Sequence, residues 1–185
     1  MVKLNRIYTR TGDAGSTGLV DGSRISKADP LMVAVGEVDE ANSAIGVART
    51  ALGPGAIEAM LARIQNDLFD LGADLATPAG IDGALRILPG QVAWLEQRID
   101  ALNAPLAPLA SFVLPAGTPG AAALHLARAT VRRAERAAVA ASGQAAVSAQ
   151  VLAYLNRLSD LLFVAARAAN AEGAGDVLWV PGASR

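Results

Sequence analysis

Residues 57–75 read IEAMLARIQNDLFDLGADL, and this stretch decides the fold. Ile57, Met60, Leu61, Ile64, Leu68, Leu71 and Leu75 recur at i, i+3, i+4 and i+7, the spacing that lines up one face of a 3.6-residue helix. Glu58, Arg63, Asp67 and Asp74 are read as lying elsewhere on the cylinder. Such a helix buries its apolar stripe only against other helices or a sheet, so the flanking segments settle the class.

Upstream, Asp29-Pro30 supplies an N-cap followed by a proline at the first helical position, and the pattern runs through Val35, Val38, Ile45 and Val47 until Gly53-Pro54. Downstream, the glycines and prolines of residues 78–89 predict a loop, and Val92, Leu95, Ile99 and Leu102 predict a third helix ended by Pro105 and Pro108. Thr118-Pro119 repeats the capped proline start, and Leu124, Ala127, Val131, Ala134 and Ala138 carry a fourth helix to Ser142-Gly143. A fifth spans about Val147 to Asn170. No strand pair is evident. The fold class is all-α: a five-helix bundle (28–171), preceded by a glycine-rich arm (1–27) and followed by an irregular tail (172–185).

Composition agrees. Of the 185 residues, 52% are hydrophobic but only 4% aromatic, an alanine- and leucine-rich mixture that favours helices. With 16 Lys and Arg against 17 Asp and Glu, no global field draws the chain to nucleic acid or an anionic membrane. The absence of cysteine excludes disulfides, thiolate metal sites and a Cys nucleophile. Charged or amide residues interrupt every run that approaches the roughly 20 apolar residues of a membrane span. Met1 to Arg10 lacks the apolar core and cleavage site of a signal peptide, so a cytoplasmic location is expected.

Arg128, Arg132 and Arg136 follow one another at four-residue spacing and share nearly one face of helix four, with Arg133 and Glu135 between them. Neighbouring guanidiniums repel, so the strip requires compensating carboxylates or an anionic ligand such as a polyphosphate; a solvated face with surface salt bridges is the other reading. Glu37, Asp39 and Glu40 on helix one, with Asn42 beside them, supply carboxylates; Asp39 is suited to hold a helix-four guanidinium in a bidentate pair, and another exposed acidic turn is the other reading. Asn156, Asp160 and Arg167 form a polar track on helix five, suited either to a nucleotide or to interhelical contacts.

The arm sequence YTRTGDAGSTG (8–18) offers hydroxyls, an arginine and glycines that expose backbone N–H groups, with Lys27 beyond it. It is neither a P-loop nor a GxGxxG fingerprint; a flexible loop and an anion site remain equal readings. His125, the only histidine, is read as a packed or capping group and given no catalytic role.

Taken in order, YTRTGDAGSTG, GEVDEANSAIG, FVLPAGTPGAAALHLARATVRRAER and LNRLSD resemble segments of the PduO-type ATP:cob(I)alamin adenosyltransferases across almost the whole chain. The resemblance implies a homotrimer of five-helix bundles. ATP would lie between subunits, held by Thr9, Arg10, Thr11, Gly12, Thr17, Gly18 and Lys27 of one arm. Arg132, Arg133, Ala134, Glu135, Arg136 and Asn156 of the neighbour would complete the pocket, with Mg2+ on the phosphates.

Asp39 and Arg128 match the family's intersubunit ion pair, and Phe112 its aromatic beside the corrin. There an apolar side chain keeps water and the displaced base from cobalt, leaving a four-coordinate cob(II)alamin that is easier to reduce. Asp39, Phe112, Arg128 and Arg132 are thus the expected catalytic set, and Asp39, Phe112 and Arg128 the cobalamin contacts; metal ligands are left unassigned. A flavoprotein reductase and an adenosylcobalamin-dependent mutase are the implied partners. Arg10, where the arm commonly has lysine, and Ala14, usually polar, depart from the pattern. A corrinoid carrier and a nucleotide-sensing trimer are the rival readings.

Overall fold

The computed structural model describes residues 7–185, so the part of the arm and of the Met1 to Arg10 reading that falls on residues 1–6 lies outside it. Five helices carry the fold: α1 (Pro30–Leu52), α2 (Ala56–Leu75), α3 (Pro89–Asn103), α4 (Pro119–Ser142) and α5 (Ala149–Ala168). Side-chain oxygens of Asp29, Thr118 and Ser148 cap α1, α4 and α5, accepting from the N–H of Leu31, Ala121 and Val151. Pro30, Pro89 and Pro119 occupy first-turn positions where the missing donor costs nothing.

Alanine decides how closely α1 and α4 pack. Ala34, Ala41 and Ala48 on one helix and Ala121, Ala127, Ala134, Ala138 and Ala141 on the other are all fully buried. Small side chains let the two axes approach, and Gly120 leaves no room for more: a Cβ there would lie 2.6 Å from Leu52 Cδ2. Leu61, Leu68, Leu71, Tyr154, Leu158 and Leu162 of α2 and α5 supply much of the larger core, joined by Ile45, Leu95 and Leu124 from α1, α3 and α4.

Two expectations need correction. Asp67 and Asp74 are buried, because 64–67–71–74 follows the same helical stripe as the leucines. Asp67 accepts from Tyr154 Oη (3.1 Å) and Gln91 Nε2 (3.0 Å), while Asp74 accepts from Arg86 Nη1 (2.8 Å) and Ile87 N (2.8 Å), tying the 78–89 loop to α2. Burial and the Asp67 carboxylate both push the Tyr154 phenol well above its ordinary pKa.

The arm also contains a strand pair: β1 (Ser16–Gly18) and β2 (Arg24–Ser26) pair antiparallel in the register Ser16–Ser26, Thr17–Ile25, Gly18–Arg24. Strands of only three residues, with Ile25 the single large apolar side chain between them, are too short to show an alternating pattern. The tail is likewise partly ordered, since Val113 and Leu178 form an antiparallel bridge.

Candidate active site

The arm curls on itself around two cations. Arg24, which sequence reasoning passed over, donates through Nη2 to the carbonyl oxygens of Thr11 (2.7 Å) and Ser16 (3.1 Å) and to Ser16 Oγ (2.8 Å). Lys27 folds back on Gly12, where a Cβ would stand 3.0 Å from Nζ and 3.3 Å from Ser16 O. Gly12 therefore keeps an ammonium close to bare backbone. Arg10 adopts a left-handed conformation with its guanidinium 5.5 Å from the Tyr8 ring centroid, and the Thr9 and Thr11 hydroxyls lie 2.9 Å apart. At the tip Asp21 accepts from the hydroxyl and N–H of Ser23, which lowers its pKa.

Along α4 the acids are distributed unevenly. Arg133 pairs with both Glu37 and Glu40 of α1, and those two carboxylates raise its already high pKa. Asp39 was expected to hold a helix-four guanidinium; within the protomer that role falls to Glu37 and Glu40, because i and i+3 share the α4-facing side of α1 and Asp39 lies about 100° from Glu40. Arg49, Arg86, Arg157 and Arg167 also meet carboxylates. Among the described residues Arg128, Arg132 and Arg136 do not.

Arg132 and Arg136 are exposed, and Arg128 is half-buried with a buried Nε that has no hydrogen-bond partner. Desolvation first, and the neighbouring Arg132 second, lower the pKa of Arg128. Ala134, expected beside the nucleotide, turns its methyl into the core. Glu135 accepts from Asn156 Nδ2 (2.9 Å) and Arg157 donates to Asn156 Oδ1, so Asn156 sits in a polar bridge between α4 and α5. Asp160 is exposed, but Arg167 leaves the polar track: it is buried against the tail.

Phe112 is 77% exposed at the rim of a cavity of about 500 Å³ that is also lined by Leu109, Ser111, Val113, Arg128 and Phe163. Its ring centroid lies 6.1 Å from that of Trp179. His125 is buried edge-on to Phe163 at 6.2 Å, with neither ring nitrogen partnered. Asp39 lies elsewhere, on an apolar groove of about 460 Å³ between α1 and α2 flanked by Met32, Val35, Leu68 and the exposed Phe69. No cation stands within ion-pairing distance of it among the described residues, and the arm's hairpin does not pack extensively on α4 or α5. One protomer therefore presents the pieces on separate faces: arm, arginine strip with the Phe112 cavity, and the Asp39 groove.

The family model described as cobalamin adenosyltransferase matches residues 7–169. The chain belongs to that family. It is 53% identical over 190 residues to a corrinoid adenosyltransferase of Mycobacterium tuberculosis, covering 100% of this chain and 97% of the relative. It is 45% identical over 177 residues to a corrinoid adenosyltransferase of Bacillus subtilis, covering 93% and 91%. Its fold superposes on a variant of a PduO-type ATP:corrinoid adenosyltransferase from Lactobacillus reuteri, complexed with cobalamin and ATP, with a TM-score of 0.88 at 37% identity, covering 95% of this chain and 97% of that one. Among the described residues, no helix is long and apolar enough to cross a membrane.

Proposed function

We propose that the chain transfers the 5′-deoxyadenosyl group of ATP to cob(I)alamin, giving adenosylcobalamin and triphosphate. The observation that carries this reading is the arginine strip: Arg128, Arg132 and Arg136 stand one turn apart without an acid, beside a cavity that holds Phe112. Uncompensated guanidiniums in that geometry suit a polyphosphate, and the adjoining apolar cavity suits a large, mostly apolar ring. The relatives named above are corrinoid adenosyltransferases by name, which agrees with this reading.

Reduced cobalt is itself the nucleophile. It attacks the ribose 5′-carbon, the carbon–oxygen bond to triphosphate breaks, and negative charge grows on the leaving group. Arg132 and Arg136 with Lys27 are assigned to that charge, and the backbone of Thr9 to Gly12, Thr17 and Gly18 to the phosphates and adenosine. Arg133 and Glu135, tied to α1 and to Asn156, hold the wall in place. Magnesium belongs to the substrate, riding on phosphate oxygens. Phe112 excludes water without offering cobalt a ligand.

A homotrimer completes this site. Asp39 and Arg128 each lack an acid–base partner in the protomer, so the Asp39 groove of one subunit is assigned to the Arg128 edge of the next, and the arm to a neighbour's α4 and α5. Cob(I)alamin requires an electron donor of the flavoprotein reductase class and a reducing cytoplasm; an adenosylcobalamin-dependent mutase would consume the product.

The test is direct: incubate the protein with ATP, magnesium and chemically reduced cobalamin, and follow formation of a light-sensitive cobalt–carbon bond. Its appearance supports the transferase. ATP binding without product would identify a nucleotide sensor, and corrinoid binding indifferent to ATP would identify a carrier.

A further inference from the structure

Phe112 lies in a segment bounded by Pro108 and Pro115 that belongs to no helix, and its ring is largely exposed. A side chain placed so keeps one pose only if its backbone is held. The tail holds it. Leu114 N donates to Val177 O (2.8 Å), Trp179 N donates to Phe112 O (2.8 Å), and Ser111 Oγ donates to Trp179 O (2.6 Å). These bonds make a two-stranded clasp around the Val113–Leu178 bridge.

The clasp is anchored from below by a buried ion pair. Arg167 Nε donates to Asp176 Oδ2 at 2.8 Å, with side chains only 7% and 3% exposed. Its Nη2 donates to Ala107 O (2.9 Å), so a single guanidinium grips both strands just before they pair. Asn170 reinforces it, accepting from Thr118 N (3.0 Å) and donating to Gly175 O (2.9 Å). The connecting turn places Ala171 and Glu172 at φ 52 and Gly173 at φ 88, and two consecutive non-glycine residues in the left-handed region persist only where surrounding contacts over-determine them.

A buried ion pair adds little net stability compared with well-packed apolar residues, but it is directional. Here direction matters, because a one-residue slip of the tail along the 112–114 segment would misalign the bonds at Phe112 O and Leu114 N that hold the backbone of Phe112. We propose that Arg167 and Asp176 are positioning residues for the transferase, fixing the register of the tail and thereby the pose of Phe112 toward the corrinoid. The proposal rests on the functional reading above, and its test separates the two.

Wild-type protein is first assayed for adenosylcobalamin; failure there sinks the functional reading itself. Asp176→Asn and Trp179→Pro, the second removing the donor to Phe112 O at a partly exposed position, are then compared with it. Both should raise KM for cob(I)alamin on the order of tenfold while leaving KM for ATP within about twofold. In a Phe112→Ala background the same changes should add less than about twofold, since the residue they act through is gone. Should Asp176→Asn not fold, Trp179→Pro decides alone. Unchanged corrinoid KM in the folded variants, ATP and corrinoid KM rising together, or full additivity with Phe112→Ala would each overturn the proposal.

Discussion

Arg136 donates through Nη1 to the backbone carbonyl of Arg132, one turn earlier on α4, at 3.1 Å. The bond holds two like charges on one exposed track instead of letting them splay toward separate acids. Repulsion between them is tolerable in isolation only because solvent screens it. A polyphosphate would remove the repulsion and exploit the alignment.

Replacing either of these arginines with alanine should therefore damage chemistry and spare the fold. Arg132→Ala and Arg136→Ala should each lower kcat/KM by about 10²–10³, the scale of one lost transition-state donor, while Tm moves by less than about 2 °C. Steady-state rates and thermal melts of the purified variants check both halves. A large fall in Tm with normal turnover would refute the assignment.

The arm makes a different prediction. Gly12→Ala places a methyl 3.0 Å from Lys27 Nζ and 3.3 Å from Ser16 O, so the ammonium must shift. KM for ATP should rise on the order of tenfold with the corrinoid KM and Tm little changed, measurable by titrating each substrate separately.

Asp74 is a stability residue. Its two oxygens accept from Arg86 and from Ile87 N in a buried setting, and Asp74→Asn leaves the partly buried guanidinium without its counter-charge. Urea unfolding should show a loss of about 3–5 kcal/mol, with turnover per folded molecule retained.

Acid lability should report His125. Its pKa is lowered first by burial and then by Arg128, with Asp176 pulling the other way. The unfolded chain, titrating near the ordinary 6.5, binds the proton before the folded chain does. Stability from this group is thus complete above that value and declines as pH falls from it toward the lowered one. His125→Gln should flatten that decline, so the stability of the variant relative to wild type should rise from about pH 7.5 to about pH 5.5 in denaturant titrations. A relative stability that falls toward acid would contradict this sign.

The helices were legible because proline, a capping oxygen and a 3.6-residue period coincide at Asp29-Pro30 and Thr118-Pro119. Four-residue spacing likewise revealed Arg128, Arg132 and Arg136. What escaped was partner choice: Glu37 and Glu40 reach Arg133 because alanine-lined α1 and α4 pack closely, a tertiary fact absent from either helix alone. Asp67 and Asp74 read as lying off the apolar face by their charge, although their spacing from Ile64 and Leu71 puts them on it. The β1–β2 ribbon is too short and polar for a period, and the clasp joins Phe112 to Trp179 across two intervening helices, beyond any local pattern.

Diffraction from crystals grown with MgATP and a corrinoid tests the central claim most directly. The account predicts triphosphate oxygens against Arg132 and Arg136 of one subunit and against Gly12 and Lys27 of its neighbour, with the corrin ring against Phe112. Phosphates bound elsewhere, leaving the α4 strip bare to solvent, would contradict it.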